Sequence, residues 1–309
     1  MPKRTPDYDN VFKTMKSKHK RLFVSVINEI FGKNYPLDVL VETLPSEGYL
    51  TDSETVDGSK LIEEQISDFL IKIKNEIYLL ECQSYDDGSM SIRIAEYAFI
   101  VARQFATWDI GKAKIPMPRF SVIYVKKTER TPKKTTITFT FPSGKEVDYE
   151  ADNVILDEIP KEQIIQKKLF PYIPFYIARY EDDIVKEGKN INGAVSDLIY
   201  FRNEMIRLHK EGELDDCEIV DLMGFINTII THITDGNENE ERLVSIMGGA
   251  VIETESEKIK RNATVQTVIK MGKTMGMDDQ QIILKLQEVA EVSEEKAVSY
   301  LELYRHGMA

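Results

Sequence analysis

QISDFLIKIKNEIYLLECQ, residues 65–83, is the stretch whose reading decides the fold. Two apolar, β-branched runs flank the polar break Lys74-Asn75-Glu76, and each carries acid where a strand ordinarily avoids it. Asp68 lies near the start of the first run, and Glu81 with Gln83 at the end of the second. A two-residue connection at Asn75-Glu76 makes an antiparallel hairpin the economical reading, although Asn-Glu is a poorer turn than Asn-Gly. Pairing residue 74 with 77 sets 68 opposite 83 and 70 opposite 81. Because side chains alternate along a strand, Asp68, Leu70 and Lys72 then share a face with Leu79, Glu81 and Gln83. The open end of the hairpin thus gathers two carboxylates and an amide, which is the geometry of a site.

Downstream, Ser89 can cap a helix over residues 90–108 on which Arg93, Tyr97 and Gln104 form one stripe and Ile94, Ala98, Val101 and Phe105 the opposite one. An Arg and a Tyr four apart are ordinarily an exposed pair, with Glu96 or Asp86 as ion partners. Placed directly after an acid-bearing strand, they can instead reach into the site. FSVIYV, residues 120–125, suits a buried strand. Strand, helix and strand in that order suggest a crossover connection and a mixed sheet.

Upstream, apolar residues from Val11 to Ile30 recur at helical spacing until Gly32, with Asp9 or Asn10 as cap. Lys13, Lys16, Lys18, Lys20 and Arg21 on this helix are either a solvated face or phosphate contacts, and the residues alone leave both open. Residues 135–141 and 146–149 read as a further hairpin around Pro142-Ser143-Gly144. The aromatic, proline-punctuated residues 160–180 read as a connecting segment packed on the core. Helices are expected over 194–210, 218–233, 240–247, 256–273, 278–290 and 293–304. The last two resemble a helical hairpin, but Asp278, Asp279, Glu288, Glu291, Glu294 and Glu295 argue against its reading DNA.

The 309 residues carry 40 basic and 52 acidic side chains, a net of −12 that argues against a generic polyanion binder. The distribution matters more. Basic residues cluster in the first twenty-odd positions and again through Lys112, Lys114, Arg119, Lys126, Lys127, Arg130, Lys133 and Lys134, while acid gathers after residue 210. That pattern is compatible with a polyanion site in the first half. Cys82 and Cys217 make no disulfide framework or zinc spacing, and Cys82 should face the core. No apolar run reaches the ~18 residues of a membrane helix, so a cytoplasmic, soluble protein that meets no membrane is the expectation. The four histidines are scattered and there is no phosphate-cradling glycine loop.

Two adjacent carboxylates are costly unless a cation neutralises them or one stays protonated. Magnesium or manganese, hard ions wanting oxygen ligands, fit Asp68 and Glu81, with the backbone carbonyl of Cys82 as an additional ligand. Gln83 cannot be a general base but can orient an attacking water. The plainer reading is a pair of solvated acids at the end of a half-exposed hairpin.

SDF…IYLLECQ followed by SIRIAEY resembles the core of the PD-(D/E)XK nuclease superfamily. More closely the chain resembles the recombination-promoting nuclease and transposase family, whose lysine position often carries glutamine. DYDNVFK is similar to that family's opening D-x-x-F-K motif, with Asp9, Phe12 and Lys13, and MGKTMGMDDQQIILKLQEVAEVSEEKAVSYL is similar to its tail. The resemblance implies a restriction-endonuclease-like α/β domain over residues 1–180, with a mixed central sheet flanked by helices, followed by a helical region over 181–309. It implies that Asp68 and Glu81 hold Mg2+ or Mn2+, with Gln83 in the usual lysine position. Arg93 and Tyr97 would bind phosphate or brace the site, and Lys13, with Lys16 and Lys20, would contact DNA. The implied activity is metal-dependent DNA endonuclease, associated with recombination or mobile elements. The alternatives are an inactive nuclease fold that binds DNA or a protein partner through its C-terminal helices, and a nuclease acting on RNA or branched DNA. A homodimer would suit the two strands of a duplex.

Overall fold

Apolar side chains on both faces of the hairpin from residue 69 to 82 leave neither face for solvent, and the rest of the chain covers both. The computed structural model describes residues 8–44, 47–50, 63–66, 69–84, 88–185, 191–248, 255–290 and 292–305; Asp68 lies outside them. The chain runs through α1 (Tyr8–His19), α2 (Phe23–Phe31), β1 (Val41–Thr43), β2 (Glu47–Leu50), β3 (Glu63–Ile66), β4 (Phe69–Ile73) and β5 (Glu76–Gln83). It continues through α3 (Met90–Gln104), β6 (Thr107–Asp109), β7 (Lys112–Lys114), β8 (Arg119–Tyr124), β9 (Lys134–Thr140), β10 (Glu146–Asp152) and β11 (Val154–Ile155). Helices α4 (Lys161–Gln166), α5 (Glu181–Val185), α6 (Asn192–Lys210), α7 (Asp216–Thr234) and α8 (Glu240–Met247) follow, then α9 (Glu255–Thr274), α10 (Asp279–Ala290) and α11 (Glu294–Arg305).

The fold is mixed α/β. One five-stranded sheet has the order β1-β4-β5-β8-β11. Strand β4 is antiparallel to both β1 and β5, whereas β8 is parallel to β5 and to β11. The expected crossover is therefore present as β5–α3–β8. The other strands pair off as antiparallel ribbons, β2–β3, β6–β7 and β9–β10.

The hairpin register differs from expectation. Ile73 pairs with Glu76, so the turn is Lys74-Asn75, and Leu70 faces Leu79 instead of Glu81. Lys74 takes a left-handed φ of 55°, as two-residue hairpin turns demand of at least one residue. The reason lies in Glu76, whose carboxylate is held in the strand by four donors. Lys33 Nζ and Tyr35 Oη reach it at 2.8 and 2.7 Å, Tyr78 Oη at 2.7 Å and Arg119 Nε at 3.1 Å. The pairing moves by two residues, so side-chain parity survives.

One face of the sheet, through Phe69, Ile71, Ile73, Tyr78, Leu80, Cys82 and Ile123, is buried with α1, α2, the aromatic residues 169–178 and α6 to α8. Cys82 thus takes the core place expected of it. The other face, through Leu70, Leu79, Phe120, Val122 and Tyr124, lies under Met90, Ile94, Ala98 and Val101 of α3 and Ile137 of β9. Coverage of both faces explains why FLI is an unbroken apolar run and FSVIY is interrupted only by the buried Ser121.

Three other expectations are corrected. The first helix is not continuous: Lys20–Leu22 form a 3-10 turn between α1 and α2. That turn lets Phe12 and Phe23 meet edge to face at 5.2 Å over Phe69. Helix α3 ends at Gln104, so Trp108 belongs to β6, and the Ser89 side chain makes no capping hydrogen bond. The chain divides not near residue 180 but into compact units Met1–Ile252 and Glu253–Ala309. Leu198, Phe201, Met205, Leu222 and Phe225 of α6 and α7 share the core beneath the sheet, which is why those helices belong with it. The second unit, α9 to α11, has its own core of Val265, Ile269, Ile282, Leu286, Ala297 and Leu301. A Cβ on Gly272 would lie 2.8 Å from Ile282, so this α9–α10 approach requires glycine. Among the described residues no helix is long and apolar enough to cross a membrane.

The Glu76 network has a pH signature. Lys33 foremost, then Tyr35, Tyr78 and Arg119, hold the Glu76 carboxyl down at about 2 against its ordinary 4.5. A depressed carboxyl contributes stability above its unfolded pKa and loses it as pH falls toward the folded value. Urea unfolding followed from pH 6 to pH 2 is expected to show the largest loss below pH ~4.5. The Glu76→Gln variant should be less stable at pH 6 and show a shallower acid slope; an unchanged slope would refute the network's role.

Candidate functional site

Strands β5 and β8 run in parallel and end together, with Gln83 beside Tyr124. Open α/β sheets place ligands outside the carboxyl ends of such strands. Helix α3 begins near that end, which puts its first turn over the last residues of β5. Glu81 pairs with Val122, and Gln83 with Tyr124, on the α3 face.

Glu81 is 0% exposed. An isolated buried carboxylate is strongly disfavoured, and Arg93 Nη2 stands 3.6 Å from its Oε2. Gln83, with its amide oriented to satisfy both partners, accepts from Arg93 Nη1 at 2.9 Å and Nη2 at 3.3 Å. The Arg93 guanidinium also lies 5.9 Å from the centre of the Tyr97 ring. The structure therefore brings together Glu81, Gln83, Arg93 and Tyr97. From α3, Arg93 turns down onto Glu81 on the sheet face beneath it, while keeping its contact with Tyr97.

The remaining candidates are placed elsewhere. Asp68 lies outside the described residues. Strand β4 as described starts at Phe69 opposite Leu80, so no described β4 residue faces Cys82. Lys13, Lys16 and Lys20 lie on the α1 side of the sheet, across it from Arg93. Lys13 is bonded to Asp9 at 2.8 Å. Lys16 is 8% exposed, with Nζ 5.8 Å from the Phe69 ring centre, at the same end of the hairpin as Glu81. Lys20 is exposed and has no ion pair among the described residues. Lys18 and His19 are bonded to Asp221 at 3.0 and 2.7 Å, and Arg21 to the buried Glu218. Much of the N-terminal basic run is thus committed to α7.

Three residues at this end lie outside the set assigned to the site from the sequence, although Lys126 belongs to the second basic block. Lys126 follows β8, its backbone N–H donating to Ser84 O at 3.0 Å. Its Nζ reaches Glu181 at 3.0 Å, and the same carboxylate accepts from Tyr8 Oη at 2.8 Å. Burial, and secondarily Glu181, pushes the Tyr8 phenol well above its ordinary range. Tyr8 and Glu181 are 173 positions apart, so no local pattern could have joined them. Lys126 alone carried a signal, as a base directly following a buried apolar strand.

For a metal, the donors here are right in kind: a carboxylate, an amide oxygen and the Cys82 carbonyl suit a hard ion. Among the described residues no group of three His, Cys, Asp or Glu side chains could hold one. No family model, curated protein or solved structure matches the chain. The resemblance to the nuclease superfamily therefore rests on the residues themselves.

Removing one partner of a buried charge pair typically costs about 3–5 kcal/mol. Arg93 is 32% exposed on its side chain, which places Arg93→Ala toward or below the low end of that range, at about 2–3 kcal/mol. The double variant Glu81→Gln/Arg93→Ala should be more stable than Arg93→Ala alone, because the stranded charge is gone. A double-mutant cycle by urea unfolding checks this, and strict additivity would refute the coupling.

Proposed function

We propose that the chain is a metal-dependent nuclease of restriction-endonuclease-like fold, hydrolysing phosphodiester bonds in DNA at the carboxyl end of β5. The observation that carries this reading is the fully buried Glu81, flanked by Gln83 and engaged by Arg93 where two parallel strands end. Glu81 and Asp68, with the Cys82 carbonyl, would hold magnesium or manganese. When bound, such an ion lowers the pKa of a coordinated water and offsets charge building on a phosphoryl group.

The chain's own residues have separable tasks. Gln83 holds no exchangeable charge, so it orients the attacking water by hydrogen bonding and takes no proton from it. Arg93 already offers two N–H groups toward Gln83; a guanidinium fork of this kind suits a phosphate oxygen. Tyr97 limits the positions open to Arg93 from the helix side. Lys16, beneath the same end of the sheet, adds positive potential there.

A second reading is favoured by one observation. Arg93 lies close enough to neutralise Glu81 without a metal, which suits a nuclease-fold module that binds nucleic acid or a protein and no longer cuts.

Incubating supercoiled plasmid with the protein and magnesium or manganese separates the two. The cleavage reading expects metal-dependent nicking, lost by about 10²-fold or more in Asp68→Ala and in Glu81→Ala, as when a group stabilising the transition state is removed. Inert wild type that also binds no metal by calorimetry sinks it. Binding has its own test, measured by anisotropy across a salt series. Lys20→Ala should weaken duplex DNA of any sequence and reduce the log–log salt slope by about 0.9, the value of one phosphate contact. An unchanged slope removes Lys20 from the interface.

A further inference from the structure

The ribbon β6–β7, which follows α3, projects into solvent. Every residue from Thr107 to Pro116 is exposed. Trp108, the only tryptophan in the chain, is 80% exposed, and Ile110 at the tip is fully so. Single exposed apolar residues need no explanation, but an indole and an isoleucine on one projecting ribbon mark a surface built for contact.

The cations of the ribbon point to what it contacts. Of the second basic block, Arg119, Lys126, Lys127, Lys133 and Lys134 are each ion-paired. Lys112 and Lys114 have no ion pair among the described residues, although Asp109 is directly opposite Lys112. Asp109 is turned to the tip, where its Oδ1 accepts from the Ile110 N–H at 2.7 Å. The one acid of the ribbon thus holds the turn and leaves the lysines their charge.

Cross-strand pairing then sorts the ribbon into two faces. Trp108 pairs with Ala113, whose small side chain leaves the indole face open. Lys112 and Lys114 share the opposite face, about 6.8 Å apart at ordinary strand rise. A strand of nucleic acid carries a charge every ~3.4 Å of axis, so both lysines can serve one strand. An aromatic platform on one face of a narrow ribbon, with uncommitted cations on the other, presents the two kinds of group that hold unpaired bases and their backbone.

We propose that the β6–β7 ribbon is a contact arm for a nucleic-acid strand with unpaired bases, Trp108 stacking on a base and Lys112 and Lys114 taking phosphates. The class of partner rests on the nucleic-acid reading of the Glu81 site. The two are joined by α3, which carries Arg93 near its start and leads to the ribbon at its end. A helix of 15 residues spans about 22 Å, or six to seven base steps. The arm therefore meets a bound strand several nucleotides from the site, at the opposite end of α3.

The sole tryptophan makes the arm directly readable. The full chain is titrated with a mixed-sequence single-stranded oligonucleotide in EDTA, following tryptophan emission and, in parallel, anisotropy of the labelled strand. Saturable quenching that tracks anisotropy is expected, with tighter binding of single-stranded or forked DNA than of blunt duplex. Trp108→Ala should weaken single-strand binding about tenfold, on the scale of one lost stacking contact, while Trp108→Phe retains most of it. Lys112→Ala/Lys114→Ala should lower the single-strand salt slope by about 1.4, at roughly 0.7 per contact. Oligonucleotide binding with unchanged emission, or no binding at all, overturns the proposal. So does quenching by anionic vesicles but not by oligonucleotide, or an emission change that depends on protein concentration alone, which would assign the ribbon to a lipid surface or to a second copy. Plasmid nicking with unchanged emission leaves cleavage standing and removes the arm; quenching by oligonucleotide in a protein that never nicks does the reverse.

Discussion

A carboxylate without solvent has to be neutralised, and in this chain the strand position of Glu81 dictates what can neutralise it. Glu81 sits one residue from the core-facing Cys82 and two from Leu79, so its side chain emerges between the sheet and α3. A side chain on α3, or a ligand entering from the end of the sheet, can reach it there. Arg93 occupies the first turns of α3 and supplies the charge, while Gln83 accepts from its Nη1 and Nη2. The start of α3 stands at the carboxyl end of β5 because α3 follows β5 directly, and the same crossover returns the chain to β8, parallel to β5.

The two ends of the sheet are built differently. At the amino end of β5, Glu76 is saturated by Lys33, Tyr35, Tyr78 and Arg119, and that network anchors the hairpin register. At the carboxyl end the charged and polar groups come from both faces: Arg93 and Tyr97 above, Lys16, Tyr8, Lys126 and Glu181 below. A sheet with apolar layers on both faces has only its ends and edges available for polar chemistry, and this end collects it.

How much of this was legible in the sequence depended on the range of the interaction. Strand alternation is local, so the grouping of Glu81 with Gln83 and Leu70 survived a misplaced turn: a shift of two keeps every side chain on its face, whereas a shift of one would have buried the wrong set. The β5–α3–β8 crossover and the later helices were legible for the same reason, since their apolar spacing lies within each segment. What set the turn was Glu76 finding Lys33 and Arg119, forty-three residues away on either side. Trp108 was drawn into α3 because Phe105 continues the helical spacing; nothing local marks that the chain leaves the helix as early as Gln104. The boundary expected at residue 180 followed the change from strands to helices, but units are separated by shared burial. Phe201 and Phe225 are buried with Phe12 and Phe69.

Charge illustrates the same contrast between pattern and partner. Read linearly, the basic N-terminal run and the acidic later segments look like a polyanion site and a separate acidic region. In three dimensions they substantially cancel: Asp221 meets Lys18 and His19, Glu218 meets Arg21, and Glu181 meets Lys126. At a net charge of −12 the whole molecule repels a polyanion at long range. Any attraction must come from local cations with no acid to satisfy, acting inside the Debye length of about 8 Å at physiological salt. Among the described residues Lys20, Lys112 and Lys114 have no ion pair, and the last two stand on a ribbon whose residues from Thr107 to Pro116 are all exposed. An acidic protein that engages nucleic acid has to do so through such outlying groups, because proximity to its own carboxylates would cancel their field.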